Sequence, residues 1–177
     1  MLWVAMAGPS GAGKDSLLAG ARALLAGDAR IHFARRSITR PADAGGEAHE
    51  HLPEAAFDAA GMALQWRAHG WRYGIRREEV RRAPVTVLSL SRTVLEEAAR
   101  LAPLLVVEAW APPEVLAARL AARGREDAAA IAARLRREAP LPPGLRVRRL
   151  ANDGPLEEGA AALAALLRAC AEGGFPP

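Results

Sequence analysis

The segment Gly8-Pro-Ser-Gly-Ala-Gly13-Lys14 constrains this chain more than any other, because of what stands on either side of it. Before it, Leu2–Ala7 is a continuous apolar run of the kind that makes a buried strand. After it, Leu17, Leu18, Ala21 and Leu24–Leu25 recur at helical spacing over residues 15–26. A strand that turns through Gly-x-x-x-x-Gly-Lys into a helix is a phosphate-binding loop. Its glycines let backbone N–H groups converge on phosphate oxygens, and the helix start adds positive partial charge. Gly8, Pro9, Ser10, Gly11, Ala12, Gly13, Lys14, Asp15 and Ser16 are therefore assigned to ATP.

Composition sharpens the role of Lys14. Of 24 basic side chains, 23 are arginine and one is lysine, in a chain that also holds 42 alanines. If the single lysine fell at random among the basic positions, it would land in this loop about one time in 24. The alternative is a glycine-rich turn with an incidental lysine. A compact ammonium reaches the β and γ phosphates as a point charge, a place that a planar guanidinium does not fill equivalently. The motif ordinarily ends in Ser or Thr, whose hydroxyl binds Mg²⁺; here the position is Asp15. A carboxylate can serve as a Mg²⁺ ligand, or it can complement the dipole of the helix it opens. Ser16 lies about 100° further around the helix and is no direct substitute.

The net charge of +4 and a pI near 10.4 fit phosphate ligands. Aromatic residues, at 5%, do not alternate with the basic ones, so no base-stacking platform for nucleic acid is expected. One cysteine, Cys170, can form no internal disulfide and points to a reducing compartment. No 18-residue apolar run is present, so no membrane span is expected, and the N-terminus lacks the basic start of a signal peptide. A cytoplasmic location is expected.

Further strands are expected at Val85–Leu90, Leu104–Ala109 and Leu145–Leu150, and helices at 93–101, 115–123, 128–137 and 156–170. Such alternation argues for a parallel sheet covered on both faces. Residues 30–75 differ in texture: they hold all four histidines, Trp66, Trp71 and Tyr73. They read as a lobe inserted into the α/β core. Glu47, His49, Glu50 and His51 show no third ligand at a metal-site spacing.

Gly8-Pro-Ser-Gly-Ala-Gly-Lys-Asp-Ser-Leu-Leu18, with Asp in place of Ser or Thr, resembles the ribose 1,5-bisphosphate phosphokinases of phosphonate catabolism. These are a branch of the guanylate kinase-like nucleoside monophosphate kinases. The resemblance continues through Arg36-Ser-Ile-Thr39-Arg40, Gly46-Glu47-Ala-His49, Trp66-Arg-Ala-His69-Gly70, Tyr73-Gly74 and Ser91-Arg92. It resumes at Arg119-Leu-Ala-Ala-Arg123-Gly-Arg125-Glu126, at Ile131 with Arg134-Leu135, and at Asn152-Asp153-Gly. It implies a three-layer P-loop kinase fold in a single domain. The core would span 1–32 and 83–177, with an acceptor-binding lobe over about 33–80 and a lid over about 119–138.

The activity implied is ATP-dependent, Mg²⁺-assisted phosphorylation of ribose 1,5-bisphosphate to 5-phospho-α-D-ribose 1-diphosphate, with ADP as second product. Arg36, Thr39, Arg40, Glu47, His49, His69, Tyr73 and Arg92 would meet the acceptor. Lys14, Arg119, Arg123, Arg125 and Arg134 would neutralise the transferring group. Asn152 and Asp153 would lie near the adenine, and Asp15 is the Mg²⁺ candidate. The partners implied are ATP and a phosphorylated sugar, with the chain a monomer or homodimer. The chemistry agrees: a phosphate acceptor is already ionised, so no general base is needed and catalysis is positioning plus charge neutralisation.

Two alternatives remain at this point. The first is guanylate kinase activity. Aligning Leu64-Gln65-Trp66 with that family's base-reading segment puts an amide where a carboxylate reads guanine, and an amide's single acceptor oxygen reads it poorly. Ser89-Leu90-Ser91-Arg92 also stands where a second base-reading carboxylate is expected. The second alternative is a non-catalytic nucleotide-binding protein.

Overall fold

The computed structural model describes residues 1–41, 49–122 and 140–174. Nine strands run along these residues: β1 (Leu2–Ala7), β2 (Ile31–Phe33), β3 (Arg36–Ile38), β4 (Glu50–His51), β5 (Met62–Ala68), β6 (Trp71–Arg76), β7 (Val85–Ser89), β8 (Leu104–Trp110) and β9 (Arg146–Ala151). Five of them form one sheet in the order β2-β7-β1-β8-β9, with every neighbouring pair parallel. The expected parallel α/β core is therefore present. β1 lies at its centre, and its burial on both faces explains why its sequence is continuously apolar rather than alternating.

The period of two decides which layer each residue joins. Val4 and Met6 pack with Leu17 and Ala21 of helix α1 (Lys14–Leu24) and with Leu163 and Leu167 of the C-terminal helix (Leu156–Ala171). Trp3, Ala5 and Ala7 point the other way, toward Leu95 and Ala98 of helix α3 (Leu95–Leu101). Burying each such Leu, rather than leaving it in water, is worth about 1.5–3 kcal/mol. A short helix α2 (Glu54–Phe57) precedes β5, and α4 (Pro113–Ala122) follows β8, opening on a proline as helices favour.

The other four strands form a second sheet in the order β4-β3-β6-β5. Ile38, Leu64, Trp66, Tyr73 and Ile75 from this sheet join the same buried cluster as Trp3 and Leu88, so the two sheets share a core. β5 and β6 form a hairpin closed by His69-Gly70, whose φ values of 51° and 80° are those of a two-residue turn matched to strand twist. These strands, and β2, were not expected individually from sequence. The helix expected at 93–101 instead opens with a 3₁₀ turn at Arg92–Val94. The helix expected over 128–137 lies outside the described residues. Among the described residues, no helix is long and apolar enough to cross a membrane.

Candidate active site

In a parallel sheet, functional groups collect beyond the carboxyl ends of the strands. Here that edge carries the loop after β1, Ser89 at the end of β7 and Arg92 beyond it, Glu108 near the end of β8, and Asn152 after β9.

Gly8 has φ 133°, and a Cβ there would collide with the Ala109 carbonyl oxygen on the adjacent strand. Gly13 has φ 77°, and a Cβ there would strike the Asn152 amide. Both positions thus demand glycine for conformation and for space. Gly13 is also the N-cap of α1 and offers no capping side chain, which leaves the first-turn N–H groups open toward an anion. The Lys14 Nζ donates to the Gly8 carbonyl at 2.7 Å and to the Pro9 carbonyl at 3.1 Å, so the ammonium sits over the loop. The glycine cradle and the poised ammonium fit the triphosphate of ATP.

Asn152 is buried, and its amide donates to the Ala12 carbonyl at 2.7 Å. Its backbone carbonyl accepts from the Arg119 Nη1 at 2.7 Å. Arg119, on α4, is thereby joined through Asn152 to the phosphate loop. Asp153 is exposed beside it.

From β3, the Arg36 Nη2 donates to Asp15 Oδ1 at 3.2 Å. The Arg36 guanidinium lies over the Tyr73 ring at 5.9 Å, and Tyr73 stacks on Trp66 with centroids 5.6 Å apart. Burial pulls the Arg36 pKa below the ordinary guanidinium value, and the Asp15 charge opposes that shift. Thr39 is buried, its hydroxyl oxygen accepting from the Arg72 backbone N–H at 3.0 Å. The Arg40 carbonyl accepts from His49 Nε2 at 3.2 Å and His51 Nδ1 at 3.0 Å, which requires a proton on each of those nitrogens. The Arg40 Nε is buried with no partner among the described residues.

Arg92 donates to Glu108 Oε1 at 3.1 Å, and Arg149 donates to Glu108 Oε2 at 3.3 Å. Glu108 was not singled out from sequence, although a signal was there: it is the one charge in the apolar run 104–109. Ser89 Oγ, at the end of β7, is buried with no hydrogen-bond partner among the described residues. No cluster of three metal-ligating side chains occurs among those residues. Mg²⁺ needs none, since it is commonly held by one or two protein oxygens together with phosphates and water.

The structure thus brings Asp15, Arg36 and Tyr73 into one connected group, and Arg119, Asn152 and the loop with Lys14 into another. His69 stands at the tip of the β5–β6 hairpin, where turn geometry gives it a backbone role. Glu47, Arg123, Arg125 and Arg134 lie outside the described residues. Gln65, the position weighed against guanine, is exposed and accepts from Arg72 at 3.3 Å.

Searches of protein-family models match nothing in this chain. Among solved structures, the guanylate kinase of Anaplasma phagocytophilum superposes with a TM-score of 0.58 at 17% identity, covering 95% of this chain and 85% of that one. A sugar kinase of Janibacter sp. gives 0.50 at 19% identity, covering 95% of each. These likenesses show the fold. Sequence relatives carry more. The bifunctional ribose 1,5-bisphosphokinase-thymidine phosphorylase of Azorhizobium caulinodans is 47% identical over 133 residues, covering 71% of this chain but only 19% of that longer protein. The ribose 1,5-bisphosphate phosphokinase of Brucella melitensis is 48% identical over 132 residues, covering 70% of this chain and 69% of its own length. That of Methylobacterium radiotolerans is 47% identical over 178 residues, covering 94% of this chain and 97% of its own length. With the loop, its lysine and the flanking arginines arranged on a guanylate kinase-like core, the chain belongs to the ribose 1,5-bisphosphate phosphokinase family.

Proposed function

We propose that this chain transfers the γ-phosphoryl group of ATP to the 1-phosphate of ribose 1,5-bisphosphate, giving 5-phospho-α-D-ribose 1-diphosphate and ADP. The observation that carries this reading is the pair of shielded arginines, Arg36 and Arg92, at the same carboxyl edge as the loop of Lys14. Their side chains are each 15% exposed, so each guanidinium is pre-oriented rather than waving in solvent. Two fixed forks suit an acceptor that carries two phosphates and no base.

In the reaction, a non-bridging oxygen of the 1-phosphate forms a bond to the γ-phosphorus. The bond from that phosphorus to the bridging oxygen of ADP breaks, and ADP takes the electron pair. No proton moves from the nucleophile, so the protein's work is to hold two polyanions in line and offset their charge. Lys14 and the loop N–H groups do this for the donor. Arg36, Arg40, Thr39, His49 and Tyr73 from 33–80, the acceptor lobe in this reading, and Arg92 do it for the sugar. The lid implied by the resemblance would span about residues 119–138, and Arg119, Arg123, Arg125 and Arg134 are assigned to it on sequence grounds alone. Mg²⁺ would supply charge neutralisation on the phosphates, with Ser89 Oγ as a protein oxygen on offer.

An ADP-release assay with ribose 1,5-bisphosphate, with GMP, and with no acceptor tests this reading. Turnover is expected with ribose 1,5-bisphosphate, and a fall of about 100-fold or more is expected in Lys14→Ala. Turnover with GMP alone would make the chain a guanylate kinase. No turnover with either acceptor would leave a nucleotide-binding protein.

A further inference from the structure

The usual phosphate loop places a hydroxyl where this chain has Asp15, and a carboxylate beside a triphosphate is electrostatically unfavourable unless something offsets it. Asp15 is on α1, in the first turn after the loop, and its side chain is 53% exposed. The partner it reaches is Arg36 of β3, a strand of the other sheet. Arg36 in turn lies on Tyr73, and Tyr73 on Trp66, which are both buried. Trp66, Tyr73, Arg36 and Asp15 therefore form one column running from the core of the second sheet to the start of α1.

We infer that Asp15 is a positioning residue: it fixes the Arg36 guanidinium for the acceptor phosphate and sets the second sheet in register with the phosphate loop, rather than serving as the Mg²⁺ ligand. This rests on the reading of Arg36 as an acceptor-binding residue. The argument is geometric. A guanidinium with a side chain 15% exposed has lost most of its hydration, and in the absence of substrate its orientation needs a fixed counter-charge. The Tyr73 face restrains the plane of the fork, while the Asp15 carboxylate sets its rotation within that plane. A hydroxyl at position 15 is shorter and uncharged, and does neither. The carboxylate thus links donor and acceptor sites, which is where small displacements of the reactants are most costly.

The test compares wild type with Asp15→Asn, Asp15→Ser, Arg36→Lys and the double variant D15N/R36K. KM for ribose 1,5-bisphosphate is expected to rise about fivefold in D15N and D15S. KM for MgATP and the Mg²⁺ concentration giving half-maximal rate should stay within twofold. In the R36K background, D15N should add less than twofold, because the group it positions is already altered. An unchanged acceptor KM, a several-fold shift of the Mg²⁺ midpoint, or full additivity would overturn the inference. The side-chain Nε–H resonance of Arg36, assigned by its disappearance in R36K, gives a readout that needs no turnover. It should be sharp in wild type and broadened in D15N, and an unchanged line overturns the positioning role. If wild type does not turn over ribose 1,5-bisphosphate, the proposed substrate fails while this resonance still decides what Asp15 does.

Discussion

Asn152 illustrates how a residue marked out by a motif acquires a physical reason only in three dimensions. The resemblance implies a place near the adenine for Asn152 and Asp153, and in the structure the Asn152 amide also holds the phosphate loop. Its Nδ2 holds the Ala12 carbonyl at 2.7 Å in a buried setting, and its backbone carbonyl engages Arg119. Asn152→Ala would leave the Ala12 carbonyl without its donor, at a cost of about 1–3 kcal/mol. Asn152→Asp should be at least as harmful, since it sets a carboxylate oxygen against a carbonyl oxygen. Both variants are expected to raise KM for MgATP several-fold more than KM for the acceptor, measured in the same ADP-release assay. Wild-type ATP affinity in Asn152→Ala would show that the loop holds its shape without this bond. Lys14 and the glycines were legible because a phosphate loop is local: seven residues, an apolar run before them and a helical period after them specify it. Glu108 was not singled out, because its partners lie far off in sequence: Arg92 in a 3₁₀ turn 16 residues away and Arg149 on a strand 41 residues away.

Among the elements, the same division between local and long-range information recurs. Helix α1 was legible from the spacing of Leu17, Leu18 and Ala21, yet nothing local shows how closely it approaches the C-terminal helix. Gly20 faces Ala160 there, and a Cβ at Gly20 would lie 2.6 Å from the Ala160 Cβ. Gly159 likewise makes room for Leu17. A glycine inside a helix costs about 1 kcal/mol relative to alanine, so its presence at 20 marks a close helix contact. Gly20→Val is expected to destabilise the protein by about 1–3 kcal/mol through overpacking, read as a lower urea midpoint with an unchanged slope. Equal or greater stability would mean that the two helices can part without loss. The second sheet was visible to sequence only as a change of texture. β3 and β4 hold three and two residues, too few for a period to declare itself. The β5–β6 hairpin carried a better signal: Leu64 and Trp66 alternate before His69-Gly70, and Tyr73 and Ile75 alternate after it.

What joins the two sheets as one molecule includes a carboxylate that the sequence did not advertise. Glu79, 7% exposed, sits in the 3₁₀ turn between β6 and β7. Its Oε2 accepts from His32 Nε2 at 2.8 Å and from the Arg35 backbone N–H at 3.0 Å, and Arg82 lies 3.6 Å from Oε1. His32 is on β2, the edge strand of the parallel sheet, and Arg35 leads into β3 of the other, so this one side chain ties the point where the chain crosses between them. Burial raises its pKa, but the Arg35 N–H, His32 and Arg82 together outweigh that, and the carboxyl titrates below its ordinary value of 4.5. The sign follows from proton counting. Between the lowered folded pKa and 4.5 the unfolded chain binds more protons than the folded one, so stability rises with pH there. The contribution is complete above the unfolded value and disappears as pH falls through the folded one. Glu79→Gln keeps the shape and removes the charge. Near pH 7 it should be less stable than wild type by about 1–3 kcal/mol, and the difference in melting temperature should narrow as pH falls from the unfolded value of 4.5 through the lower folded one. Calorimetric scans of both proteins across that range decide the matter. A gap that stays constant with pH would mean that the protonation of Glu79 is not what couples this crossing point to acid stability.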